Sequence, residues 1–156
     1  MRMTRAVEGW TLVPLERFVM ESGARLTLLM TPAGQVLAQH GFTRAVDVMA
    51  AAALGAAIVS STSEIARMID APRFRGLNHQ GVHHGIFLGS FNTPRGELLA
   101  LVVYGNDSSA GLVELFFENL RAELVAAAPV EEHREPVLAA DFENDLNASL
   151  GSLFGR

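Results

Sequence analysis

Three histidines, His79, His83 and His84 in the segment NHQGVHHG, have the type and spacing that could bind a metal ion. If the segment is a strand, His79 and His83 share a face and His84 points away, because successive side chains alternate. One site would then hold at most two of them, and the segment has no cysteine, aspartate or glutamate to complete a coordination shell. We therefore predict no metal and no cofactor, and interpret the histidines as side chains of a sheet edge or an interface.

Residues suited to covalent or acid–base catalysis form no recognisable arrangement. The serines lack a GxSxG turn, and the carboxylates of PVEEHREP belong to a charged linker. Arginines have one relevant chemistry, because an arginine supplied in trans accelerates GTP hydrolysis roughly 10³–10⁵-fold. The candidates in predicted loops are Arg44, Arg73, Arg75 and Arg95. Since no pattern distinguishes one of them, we predict no catalytic residue and no enzyme.

The composition narrows the class of protein. The 156 residues, 49% of them hydrophobic and 19% charged, suit one globular domain. The net charge of −5 and the absence of lysine argue against nucleic acid as a partner and against a phosphate-binding loop. Cysteine is absent, the segment MRMTRAVEGW has no apolar signal region, and no run of 18 apolar residues occurs. We therefore expect a cytoplasmic protein with no membrane span.

Apolar residues, glycines and prolines predict the elements that position these side chains. Nearly continuous apolar runs at 25–31 and 97–104 are typical of strands covered on both faces, which belong in the centre of a sheet. The other predicted elements are helices at 12–21, 44–70 and 111–127 and strands at 35–40, 76–84 and 85–91. The short connections between strands indicate hairpins. The predicted fold is α/β, a three-layer α/β/α domain over 8–128 with a five-stranded, mostly antiparallel sheet.

The long helix at 44–70 carries two stripes at helical spacing. The first spans roughly 60° of a helical projection, is predicted to pack on the sheet, and consists of Leu54, Ile58, Ile65 and Ile69. The second has the 4-3-4-3-4 spacing of helix pairs and consists of Val46, Ala50, Ala53, Ala57, Ser60 and Glu64. Between Asp47 and Glu64 the helix carries no charge, although a solvated face normally would. We interpret the second stripe as a protein-binding face; an alanine-rich solvated helix is the alternative.

The end of the chain is predicted to be an acidic linker, 129–137, and a C-terminal amphipathic helix, 138–156. An arc of roughly 120° contains Leu138, Phe142, Leu146, Leu150 and Leu153. Burying five such side chains stabilises by roughly 8–15 kcal/mol, whereas ordering about 16 residues costs about 20 kcal/mol. We therefore predict that this tail docks on a partner through Phe142, Leu146, Leu150 and Leu153. The alternative is that it folds back on its own domain.

Three motifs occur in order along the chain. An Ala/Ser-rich helix runs into TSEIARMI, RFRGLNHQG follows, and DSSAGLVEL enters the last helix of the domain. Their order and spacing resemble the roadblock / dynein light chain family, including its bacterial gliding branch. The resemblance implies a homodimer in which edge strands join into one sheet and the long helices lie side by side. The edge strand would be 77–83, with the positions Leu77, His79, Gly81 and His83.

The resemblance also implies a partner for the paired helices. They would bind a Ras-like small GTPase of the MglA type and stimulate GTP hydrolysis by ordering the GTPase's own catalytic groups, without an inserted arginine finger. The matching positions are Ala53, Ala57, Ser60, Ser61 and Glu64. Such a regulator would act in cell polarity and gliding motility. Two alternatives remain, a non-catalytic roadblock scaffold that localises a GTPase or polarity complex, and a small-ligand sensor.

Overall fold

Four helices and six strands make up the chain in a computed structural model, which describes residues 3–130 and 135–153, with side chains described for 3–130 and 144–153. The helices are α1 (Leu12–Ser22), preceded by a 3₁₀ turn (Gly9–Thr11), α2 (Ala45–Met68), α3 (Ala110–Ala127) and α4 (Glu135–Leu153). The strands are β1 (Thr4–Ala6), β2 (Leu26–Met30), β3 (Val36–His40), β4 (Gly76–Gln80), β5 (His84–Thr93) and β6 (Gly96–Gly105).

The strands form one antiparallel sheet in the order β1-β3-β2-β6-β5-β4. The prediction of an antiparallel α/β sheet is confirmed, but five strands was wrong. The sixth is β1, which pairs Thr4–Ala6 with β3 and starts the sheet before residue 8. Three residues are too few for an alternating pattern to show in the sequence.

Both faces of the sheet are covered, so the three-layer prediction is also confirmed. The central strands β2 and β6 contain Leu28, Leu29 and Leu99, all fully buried. One face packs against α1 and α3 through Leu15, Phe18 and Phe117, and the other against α2. A strand buried on both faces has no solvated position, which is why the sequence is almost continuously apolar there; Thr27 of β2 is polar but fully buried.

The helix α2 packs on the sheet through a different face from the one predicted. The face in contact is a row of small or β-branched residues, Val48, Ala52, Gly55, Val59 and Ala66. A Cβ on Gly55 would lie 2.7 Å from Met30 Cε, so the helix backbone approaches the sheet closely at that point. The predicted core residues Leu54, Ile58, Ile65 and Ile69 are instead exposed. Large side chains cannot fit under a backbone that lies this close.

The C-terminal helix α4 begins at Glu135, inside the segment predicted to be linker. Of the tail residues predicted to dock, Leu146, Leu150 and Leu153 are exposed. Leu138 and Phe142 lie on the described backbone of α4, but their side chains are outside the described part, as are residues 131–134 and 154–156 entirely. The apolar stripe of α4 is therefore accessible along its described length.

Candidate partner-binding surface

The outer stripe of α2 faces away from the sheet. At about 100° per residue, the sheet-facing row and the outer stripe lie on opposite sides of the helix. The members of the outer stripe, all exposed, are Val46, Ala50, Ala53, Ala57, Ser60 and Glu64. Because most of them are alanine or serine, another backbone can approach this face without displacing large side chains.

Hydroxyl groups beside the stripe are engaged within the helix. Ser61 Oγ donates to the carbonyl oxygen of Ala57 at 2.8 Å, and Ser63 Oγ donates to that of Val59 at 2.8 Å. Ser63 Oγ also accepts a hydrogen bond from Arg73 Nε at 3.2 Å. These bonds leave the hydroxyls as small packing groups. This surface is suited to contact rather than to chemistry.

The stripe ends in an ion pair. Arg67 Nε donates to Glu64 Oε1 at 3.0 Å, and the terminal guanidinium nitrogen of Arg67 contacts the same oxygen. This hydrogen bond lowers the pKa of the Glu64 carboxyl and raises the pKa of Arg67. Both groups are solvent-accessible, so a partner would meet an ionised carboxylate already held by an arginine.

A second exposed surface lies on the side of α2 that overhangs β4 and β5. We call it the apolar flank; it consists of Leu54, Ile58, Ile65 and Ile69. At its foot, Ile58, Phe74, Leu77 and Leu88 contribute to the lining of an open cavity of about 190 Å³ between the helix and the sheet. The flank, the cavity and the edge of the sheet therefore form one continuous apolar surface.

The edge of the sheet beside the flank is β4. Leu77 and His79 lie opposite Leu88 and Ile86 of β5, and share the α2 side of the sheet with them. No strand pairs with the other side of β4 within the described residues. The positions Gly81 and His83, predicted to be part of this strand, lie instead in the turn after Gln80, which Gly81 closes by donating its backbone N–H to the His84 carbonyl at 2.7 Å.

The histidines are separated by this turn. Because β4 ends at Gln80, His79 and His83 do not share a strand face as predicted. His84 begins β5, where its Nε2 accepts a hydrogen bond from Arg25 Nη1 at 3.1 Å. Among the side chains that the structure describes, at 3–130 and 144–153, no group of three or more His, Asp or Glu is placed to hold a metal ion.

The four candidate arginines do not belong to the outer stripe. Arg44 precedes α2, 3.9 Å from Asp47, and Arg73 is paired with Glu97 at 2.6 Å. Arg75 is exposed just before β4, and Arg95 is in the turn between β5 and β6. The structure brings none of them onto the surface formed by the outer stripe.

Much of the apolar surface of α2 is exposed. Among the described helices, α2 alone is long and apolar enough to cross a membrane by length and composition, and most of it is exposed. A core helix of a soluble protein also passes that test, and here one face does pack on the sheet. The sequence interpretation missed the apolar flank; the signal that could have identified it is Gly55, a glycine inside a helix, which marks close backbone packing.

Known proteins share the sequence pattern and the fold of this chain. The sequence matches the family model described as Roadblock/LC7 domain over residues 11–104. Among solved structures, the chain is similar to gliding protein MglB from Thermus thermophilus, with a TM-score of 0.66 and 24% identity, covering 76% of this chain and 88% of that one. It is similar to an MglB with a tetrameric arrangement, with a TM-score of 0.65 and 25% identity over 76% and 87%.

Another similar structure is Myxococcus xanthus MglB, with a TM-score of 0.63 and 24% identity, covering 70% of this chain and 87% of that one. No curated protein matches the chain in sequence. At identities this low, the structural likeness establishes the shared fold.

Proposed function

The chain belongs to the Roadblock/LC7 domain family, and from this premise we propose that it is a homodimeric, non-enzymatic regulator that binds a Ras-like small GTPase. The observation that supports this most is α2, which packs one face on the sheet and leaves two others exposed. Two separate exposed faces on one helix fit two kinds of contact, one with a second copy and one with another protein.

The dimer uses the apolar flank and the β4 edge. Pairing two β4 strands across a two-fold axis satisfies the open hydrogen-bonding groups of Gly76–Gln80 and extends the sheet into the second copy. The same operation brings the two α2 helices together, so that the flank residues Leu54 and Ile58 are covered. Large aliphatic side chains gain most from such burial, which is why they are on the flank and not on the outer stripe.

The GTPase binds to the outer stripes of the paired α2 helices. The alanines Ala53 and Ala57 allow close approach, and Glu64 provides an ionised group at one end. Similar structures are MglB proteins, one of them described as a gliding protein; on this likeness we propose a partner of the MglA type and a role in gliding motility and cell polarity, in the cytoplasm. The exposed apolar stripe of α4, Leu146, Leu150 and Leu153, supplies an additional contact with the GTPase.

Stimulation of GTP hydrolysis proceeds by ordering the catalytic groups of the GTPase. No member of the outer stripe is an arginine, and Arg67 beside its end is paired with Glu64, so we propose that no arginine of this surface reaches the phosphates. The mechanism that we propose is that the bound regulator holds the GTPase's own catalytic groups in place. Holding mobile catalytic groups in their reactive geometry raises the rate of hydrolysis by a large factor. A surface with no catalytic group is equally compatible with a scaffold that localises the GTPase, and the rate measurement separates the two.

The test combines binding and turnover. The full chain is mixed with the Ras-like GTPase of the same organism, and phosphate release is followed at saturating concentration while complex formation is measured by size exclusion. We expect both a complex and faster release, and Ala57→Arg should abolish both. Ala127→Arg, the same change at an exposed position of α3, is the matched control. A complex without faster release would leave only the scaffold, and an unaffected Ala57→Arg complex would refute the outer stripe as the binding face.

A further inference from the structure

The outer face of α3 carries a second stripe, on the layer of the fold opposite α2. Its members, all exposed, are Leu112, Leu115, Asn119, Ala122 and Ala126. The core-facing residues of the same helix, Val113, Phe117, Leu120 and Leu124, are buried. The outer spacing of 3-4-3-4 is that of the seam of a coiled coil, although no described element of the chain covers it.

The order of residues in this stripe is self-complementary. Large side chains occupy one end, where Leu112 is 43% and Leu115 58% exposed, and alanines occupy the other. Asn119 lies at the midpoint, four residues from Leu115 and three from Ala122. If a second copy of α3 is laid antiparallel with Asn119 on the two-fold axis, Leu115 meets Ala122 and Leu112 meets Ala126. Each leucine then faces a space that an alanine leaves.

We propose that this stripe is an interface between two copies of the chain, with the α3 helices antiparallel and the two Asn119 side chains paired at the axis. A polar Asn at one seam position selects a register, because any shift leaves its amide unpaired against an apolar neighbour. The arrangement uses the same patch on both copies, which is the requirement for a two-fold contact.

Charges and neighbouring helices are compatible with the contact. The two-fold operation brings Glu118 of both copies to the same flank, where each carboxylate is already paired with Arg121 of its own chain at 2.9 Å. On the other flank lies α1, tied to α3 by Arg17 and Glu123 at 2.7 Å. Its outward side chains Val13 and Met20 are exposed and extend the apolar area.

This interface is independent of the apolar flank and the β4 edge, since α2 and α3 cover opposite faces of the sheet. If both contacts form, the chain has two different two-fold interfaces. Such a pair produces a closed four-chain assembly when the two axes meet at right angles and an open array when they do not meet. Either way, the outer stripes of α2 remain accessible to a partner.

Cross-linking tests the register directly, because the chain has no cysteine. In Asn119→Cys the two thiols meet at the axis, and mild oxidation should link two copies on a non-reducing gel. In the control Ala127→Cys, each thiol is eight residues from the axis, about 12 Å along the helix, so the pair is about 24 Å apart. Such a separation cannot be bridged by a disulfide. A yield for Asn119→Cys no greater than for Ala127→Cys would overturn the proposal.

Sedimentation velocity tests the assembly. Ala122→Arg places a charge in the seam on an exposed position, and we expect it to reduce the largest species to the dimer joined through α2, without changing the thermal melt. An unchanged mass at every concentration would overturn the proposal as well. Ile58→Arg separates this result from the dimer proposed above. If Ile58→Arg has no effect while Ala122→Arg halves the mass, the α2 dimer fails and the α3 contact stands.

Discussion

The proposed dimer makes a quantitative prediction at Leu54, on the apolar flank of α2. Leu54 is 66% exposed, and full burial of a leucine side chain stabilises by about 1.5–3 kcal/mol. Covering the exposed part in the dimer is therefore worth about 1–2 kcal/mol per copy. Because a two-fold interface contains each residue twice, Leu54→Ala should weaken the dimer by about 2–4 kcal/mol, or roughly 30- to 1000-fold in Kd.

The measurement is the dissociation constant of the dimer by sedimentation equilibrium. Since Leu54 contributes little to the core and alanine is a strong helix former, the melting temperature of the monomer should stay the same. Met49→Ala is the matched control, because Met49 is similarly exposed but lies on the other side of α2. Equal dissociation constants for the two variants, or a large loss of stability in Leu54→Ala, would refute the assignment of the flank to the dimer.

Three further predictions concern α2 and the tail. Gly55→Val should lower the free energy of unfolding by about 1–3 kcal/mol, because the valine side chain would meet Met30 where α2 contacts the sheet. Chemical denaturation measures this change, with Ala57→Val at an exposed position of the same helix as the control. The Glu64 titration, followed by NMR, should move up toward the ordinary range in Arg67→Ala, since the Arg67 hydrogen bond lowers the Glu64 pKa. Deleting 136–156 should weaken GTPase binding and leave the melting temperature unchanged.

Each of these has a contradicting outcome. Equal stability of Gly55→Val and Ala57→Val would mean that the sheet yields at α2. If the titration midpoint of Glu64 is the same in Arg67→Ala, the two side chains do not form this hydrogen bond in solution. If the bond forms, its small stabilisation of the folded state is present above the ordinary glutamate pKa and is lost as the pH falls through the lowered Glu64 pKa. A drop in melting temperature with unchanged GTPase affinity would show that the tail is part of the domain.

The two faces of α2 and the outer face of α3 give the molecule three separate apolar surfaces. A small domain rarely exposes this much apolar area unless partners cover it. The exposed apolar residues of α2 and α3 therefore agree with the proposal that a second copy and a partner cover these surfaces.

The sequence alone determined the central strands, the three layers and the axial limits of α1, α2 and α3. The sequences of β2 and β6 are nearly continuous apolar runs, broken within β2 only by the buried Thr27, and such runs are typical of strands covered on both faces. The spacing of Leu112, Val113, Phe116, Phe117, Leu120 and Leu124 predicts an amphipathic helix at α3, of which the structure buries Val113, Phe117, Leu120 and Leu124 and leaves Leu112 exposed. Where an element has one polar side and one apolar side, the spacing of its apolar residues is sufficient to predict which side is buried.

Only the tertiary structure decided which side of α2 meets the sheet and where the edge strand ends. Every side of α2 is apolar or small, so periodicity does not distinguish them, and the choice depends on how closely Gly55 lets the backbone approach Met30. The end of β4 at Gln80 depends on a turn closed by the hydrogen bond between Gly81 and His84. The histidine-rich sequence of this segment does not indicate that turn. The sequence pattern identifies the buried face of a helix when its faces differ in polarity. When they do not differ, the buried face is the one that allows the closest approach between elements.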